Sequence, residues 1–315
     1  MEPAPDRPNT DNGQEYACLL GLTSLSEYLD YVAAEAIVSE DPKDLAEQWR
    51  RATDRRAQLE RDEEHWTNQL PATAKKPPEL QPLSPEMTER VPQVLADPVF
   101  QRAFAIVRTR IAMAPLDELV VYQRSVNLDH VHVLEQRLGA NPSPEELFRF
   151  CLPTERELPP YRVRPIKKDS FVFISDSTDL RFLEPVVLAG DQIVDYQPFG
   201  PVAGVVGLVV GYGSNFLNVI SAEGRLILNN GNHRAYALRH LGITHAPCLI
   251  QDVARRDELE AVAGGRLSRD PDAYLKHPRP PYLSDFFDPT LSRKFRLIRK
   301  SRHVRVTFKV EEISI

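Results

Sequence analysis

The chain has 315 residues, 42% of them hydrophobic and 27% charged, with a formal net charge of −6. That balance is ordinary for a globular protein, fits two modest domains, and makes the chain as a whole a poor electrostatic match for nucleic acid. There is no run of about 18 apolar residues, so no membrane-spanning helix is expected.

Residues 1–14 are rich in Pro and Asp without an apolar stretch, which predicts a disordered tail and no signal peptide. Tyr16 to Val38 carries Leu19, Leu22, Leu25, Leu29, Val32, Ala33 and Ile37 at helical spacing. Asp41-Pro42 opens a second, highly charged helix running to about Leu70, suited to an exposed arm or half of a helical hairpin and open to a protein partner. Residues 71–85 contain five prolines and predict a stiff linker. Helical signals continue from Ser84 to Met113 and from Pro115 to Leu138, with Gly139 as C-cap, and Ser143-Pro144-Glu145-Glu146 begins one more short helix. A helical domain over 15–152 follows.

Beyond Pro153 the pattern changes to short β-rich runs: 171–174, 186–188, 205–210, 216–220 and 226–228. Glu223-Gly224 suits a hairpin turn. Gly231 to Leu241 is helical, Gly242 closes it, and 247–250 is a strand. Val304 to Val310 alternates as an antiparallel edge strand does. The expected fold class is α+β: a helical N-terminal domain, a small mixed-sheet domain over 160–255, and a C-terminal β extension over 256–315.

The charge distribution is uneven. Thr290 to Lys309 holds eight Lys or Arg residues (293, 294, 296, 299, 300, 302, 305 and 309) and no acid, leaving −14 for the remainder. Either these charges meet the acidic rest of the protein in a solvated strand pair, or Arg293–Lys309 contacts nucleic acid or another anionic partner. Cys18, Cys151 and Cys248 are far apart and odd in number, which argues against a disulfide framework or zinc site and for a reducing cytoplasm.

The turn Asn229-Asn230-Gly231-Asn232-His233-Arg234 is the main candidate for chemistry. A strand ends at Leu228 and a helix begins within four residues, so unpaired N–H groups and the positive end of the helix dipole face one point. Gly231 allows a sharp bend and close approach of a ligand. His233 and Arg234 then lie in the first turn, where a cation costs a few tenths to about 1 kcal/mol unless an anion compensates. Arg234 can grip a phosphate bidentately, and His233 can donate a hydrogen bond or move a proton. Alternatively Arg234 pairs with a carboxylate such as Asp252, and His233 caps the sheet.

From Asn218 the sequence reads NVISAEGRLILNNGNHRAYALRHLGITHAPCLIQDV. This resembles the core of the ParB/sulfiredoxin superfamily, with a GxxR element (here Gly231-Asn232-His233-Arg234) at a helix start. A weaker likeness reaches upstream to VLAGDQIVDYQP, so the resemblance covers roughly 187–253. It implies that Gly231, Asn232, His233 and Arg234 line a nucleotide-phosphate site, with Tyr236 and Ala237 packed behind; Asn230, next to them in the turn, joins the candidate phosphate-binding set. Departures limit the transfer of function. Asn232 stands where sulfiredoxins carry their cysteine, which excludes repair by that mechanism. Asn230 replaces the aspartate of the related serine kinases, and no helix-turn-helix pattern follows the motif.

Other candidates are weaker. The glycine-rich stretch 200–213 lacks the Lys-Ser/Thr of a P-loop and suits a twisted strand. His130 and His132 would stand about 200° apart on a helix, too far round to chelate one metal. Asp176, Asp179 and Arg181 follow a strand and could form a further phosphate or Mg²⁺ shell, or a loop of Asx and Ser turns. The leading expectation is a nucleotide-binding protein, a phosphotransferase or NTPase using ATP or CTP with Mg²⁺, in which His233 acts catalytically. A non-catalytic nucleotide-sensing or DNA-associated regulator is the alternative, and a nuclease is third.

Overall fold

The structure is a computed structural model describing residues 13–69, 78–177, 179–189, 192, 200–202 and 204–313, with side chains of 64–69 excluded. The expected tail up to residue 12, the linker segment 71–77 and most of the 187–198 likeness lie outside the described residues.

In chain order the elements begin with β1 (Gly13–Leu19), α1 (Leu25–Glu35), α2 (Pro42–Gln69), α3 (Pro85–Thr88), α4 (Val91–Leu95) and α5 (Pro98–Ala103). They continue with β2 (Arg108–Pro115), β3 (Leu119–Val120), β4 (Ser125–Asn127), α6 (Leu128–Leu138), α7 (Pro144–Cys151), β5 (Tyr161–Lys167), β6 (Ser170–Ser175), β7 (Arg181–Leu188) and β8 (Val205–Gly211). The last are β9 (Asn218–Ala222), β10 (Arg225–Asn230), α8 (Asn232–His240), β11 (His245–Val253), α9 (Arg256–Val262), α10 (Gly265–Arg269), α11 (Asp272–Leu275), β12 (Ser292–Ile298) and β13 (Arg302–Thr307). The α+β class is as expected, but the domain plan is not. The chain forms two compact units, Met1–Glu155 with Asn215–Arg299, and Arg156–Ser214 with Lys300–Ile315.

The first unit is built on a five-stranded sheet ordered β2-β11-β9-β10-β3. β9 and β10 form a hairpin whose turn residues, Glu223 and Gly224, have φ of 49° and 76°. Two left-handed residues in succession match the twist of the flanking strands. The buried residues of this hairpin alternate between two cores. Val219, Leu226 and Leu228 join the cluster that includes Val131 of α6, Phe148 of α7 and Leu238 of α8. Ile220, Ala222 and Ile227 face Leu259, Leu267, Tyr274 and Leu275. Both faces are covered, so the strands read as continuous apolar runs rather than alternating ones.

The predicted helical domain departs from expectation in several places. Residues 13–19 form a strand, paired antiparallel with both β12 and β4, in place of the end of the expected tail (13–14) and the start of the expected helix. The helix that follows begins only at a capping box, Ser24 with Glu27. Residues 108–115, expected as the end of a helix, are β2, paired antiparallel along β11, and 119–120 and 125–127, inside the helix expected over 115–138, are β3 and β4, so that helix begins only at Leu128. The N-terminal region therefore supplies strands to the same unit as the 215–299 segment and is not a separate helical domain.

The second unit holds a three-stranded antiparallel sheet, β13-β6-β5, and a two-stranded ladder, β7-β8. β13 is an edge strand, as its alternation implies. The boundary between the units falls after Arg299, so the predicted C-terminal extension is divided: β12 pairs with β1 in one unit and β13 with β6 in the other. The basic segment is not one strand pair.

Candidate functional site

β10 ends at Asn230 and Gly231 caps α8 in the left-handed region, with φ 95°. A Cβ on Gly231 would lie 2.5 Å from Cδ1 of Leu217, so packing as well as conformation demands glycine here. The asparagines are fastened. Asn230 Nδ2 donates to Phe216 O and its Oδ1 accepts from Gly231 N. Asn229 Nδ2 donates to Asn218 Oδ1 and Val262 O, and Tyr122 Oη donates to Asn229 O.

No side chain caps α8. Among the described residues, the N–H groups of Asn232 and His233 make no hydrogen bond, whereas Gly231 O accepts from Ala235 N in the regular way. Asn232 is 8% exposed, and its buried Oδ1 has no hydrogen-bond partner. A fixed glycine turn thus leaves two donors of the first turn open beside one unsatisfied side-chain acceptor, Asn232 Oδ1.

Arg234 is engaged elsewhere. It is 7% exposed, and its Nη1 donates to Phe150 O at 3.1 Å and Cys151 O at 3.0 Å, while Nη2 donates to Asn215 Oδ1 at 2.6 Å. Phe150 and Cys151 end α7, so the guanidinium is a cationic cap on the negative end of that helix. The carboxylate suggested as its alternative partner, Asp252, is bound by Arg110. The electrostatic misfit expected from Arg234 at the start of α8 is therefore answered within the chain, and an anion is not needed to explain it.

His233 adds no charge either. Burial first, then His130 and Arg234 nearby, push its imidazole down to about 4. The rings of His130 and His233 meet edge to face, with centroids 5.1 Å apart. Burial, followed by Arg234, also lowers His130. The pair is neutral near pH 7, and each ring can offer one N–H and one lone pair. His132 instead contacts Gln136 on its own helix.

Sequence reasoning missed the groups flanking the turn. Tyr122 follows β3 and reaches Asn229, and its ring packs edge-on against Tyr274 at 6.2 Å. Arg124 is half-buried, and burial followed by the neighbouring Arg266 holds its guanidinium below its ordinary value. Tyr122 lies about a hundred positions from the motif, and pairing of β3 with β10 brings it there.

Asp176, Asp179 and Arg181 belong to the second unit, whereas the 229–234 turn belongs to the first. Asp179 binds Arg181 and accepts from Gly213 N, and its N–H donates to Ser177 Oγ. This is a local turn network. The glycine-rich stretch contributes β8, antiparallel to β7 with a register shift between Phe182 and Glu184. Among the described residues no group of three His, Cys, Asp or Glu side chains is placed to hold a metal ion. All three cysteines are buried and unpaired, and burial raises the thiols of Cys18 and Cys151 to about 12. None is a poised nucleophile. Comparison with protein-family models, curated proteins and solved structures returns no significant match.

Proposed function

We propose that the protein binds a phosphate-bearing ligand, a nucleoside triphosphate such as ATP or CTP, at the Asn229–Arg234 turn. The observation that carries this reading is the pair of open N–H groups, Asn232 and His233, at the start of the nine-residue α8 behind a glycine held at φ 95°. Such a helix start is a ready anion site. The resemblance of Gly231–Arg234 to the GxxR element of ParB/sulfiredoxin-like proteins supports the same ligand class. In this reading the amides and a neutral His233 hold the phosphates, and Arg234 fixes the turn from behind.

Binding fits better than phosphoryl transfer. A general base works best with a pKa near the operating pH, and an imidazole at about 4 is far below it. No carboxylate is among the groups that set that value. Any Mg²⁺ would arrive with the triphosphate rather than at a metal cluster of the protein's own.

Thermal unfolding with ATP, CTP, GTP and ADP, each with Mg²⁺, tests the proposal. A ligand at 100 times its Kd stabilises by about 2.7 kcal/mol, which is about 5–11 °C for a unit of this size. No shift with any nucleotide at millimolar concentration would refute it. Nucleotide hydrolysis that disappears in His233→Gln would restore the transferase reading.

A further inference from the structure

The second unit carries a charged surface that does not depend on the nucleotide reading. In the β13-β6-β5 sheet, Arg162 and His303 are both paired with Ile174, and Arg164 and Arg305 are both paired with Val172. Ser170 is paired with Lys167 on one side and Thr307 on the other. Directly paired residues of antiparallel strands project to the same face. One face therefore gathers Arg162, Arg164, Lys167, His303 and Arg305, all exposed. The opposite face takes Tyr161, Val163, Phe171, Phe173, Val304 and Val306.

The cations are uncompensated. Among the described residues Arg162, Arg164, Lys167 and Arg305 make no salt bridge. This contrasts with the other half of the basic segment, where Arg293 binds Glu40 and Lys294 meets Glu15. At the centre of the face, Val172 is buried, as a valine flanked by two long aliphatic stems should be. The face so presents guanidinium and ammonium heads and no exposed aromatic anchor. Successive charges along β5 stand about 7 Å apart, and charges across β6 about 9.5 Å apart.

We propose that this face binds the sugar-phosphate backbone of a nucleic acid. A protein partner draws its affinity from desolvated aromatic or aliphatic anchors, which this face lacks. A regular array of unpaired cations instead suits a polymer of evenly spaced phosphates, recognised without regard to sequence. The net charge of −6 confines the attraction to this surface.

The test is binding of the full chain to a labelled 20-nucleotide strand and to its duplex at several salt concentrations. Four phosphates neutralised predict a slope of log K against log salt near −3.6 for duplex and −2.8 for single strand. Duplex affinity then falls about 150-fold between 50 and 200 mM salt. Replacing Arg162, Arg164 and Arg305 together by Gln should reduce the slope by about 2–3. Arg162→Gln and Arg305→Gln singly, on exposed edge-strand positions, should each reduce it by about 0.7–0.9 and serve if the triple variant does not fold. The proposal is overturned by absence of binding at 50 mM salt, by slopes unchanged in the variants, or by equal competition from poly-glutamate of the same length.

Discussion

Replacing Arg234 by Ala separates a ligand role from a structural one. The wild-type guanidinium is buried and donates to Phe150 O, Cys151 O and Asn215 Oδ1. Hydrogen bonds to a charged group contribute about 1.5–3 kcal/mol each and do not add fully. Cys151 O keeps a second donor in the variant, Leu217 N at 2.8 Å, which softens the loss at that carbonyl. Two to three bonds at the lower end give a destabilisation of about 3–4.5 kcal/mol. For a unit of this size that is about 6–18 °C in melting temperature. Urea unfolding should show the midpoint falling with an unchanged slope. Arg234→Lys should recover only part, because an ammonium on a flexible stem cannot reach three acceptors as a planar fork does. An Ala variant within about 0.5 kcal/mol of wild type would refute the capping role and return Arg234 to the list of free phosphate ligands.

Gly231→Ala combines a left-handed φ with a Cβ set 2.5 Å from Leu217 Cδ1, so it should cost about 2–4 kcal/mol, read by chemical denaturation. His233 should titrate near 4 by NMR, well below its ordinary value. Its folded-state pKa is depressed, so its contribution is full above about 6.5 and is lost as pH falls from there through about 4. The loss is on the order of 3 kcal/mol, and His233→Gln should flatten the stability profile in that window. Cys248→Ser should leave ligand binding unchanged and cost about 1–3 kcal/mol, since the fully buried thiol sits among apolar neighbours with only backbone partners, at Ala246 and Ala114. Loss of binding in a folded Cys248→Ser protein would reinstate thiol chemistry.

Elements with local signals were legible in the sequence. The Asp41-Pro42 start gives α2, the Ser143 capping box gives α7, Gly139 closes α6, and the Glu223-Gly224 turn joins β9 to β10. What failed was pairing over long sequence separations. Leu19, Leu22 and Leu25 keep helical spacing, yet Gly13–Leu19 is held as a strand by β12, some 280 residues later. β2 likewise depends on β11. The 229–234 turn was readable as a strand-to-helix junction, because Gly231 and the asparagines carry that signal themselves. Arg234 was misread for the opposite reason. Its partners end α7 more than 80 residues upstream, and charge at a helix start cannot reveal where a long side chain goes.

The central claim is that Asn232 and His233 offer their backbone N–H groups to a phosphate. The most direct measurement is a titration of ¹⁵N-labelled protein with ATP, CTP and inorganic phosphate, following individual amide resonances. Saturable shifts are expected, largest at Asn232 and His233, with the side-chain bonds of Arg234 to Phe150 O, Cys151 O and Asn215 Oδ1 preserved throughout. Saturable binding whose shifts leave both amides unmoved, or no binding of any of the three ligands, would contradict it.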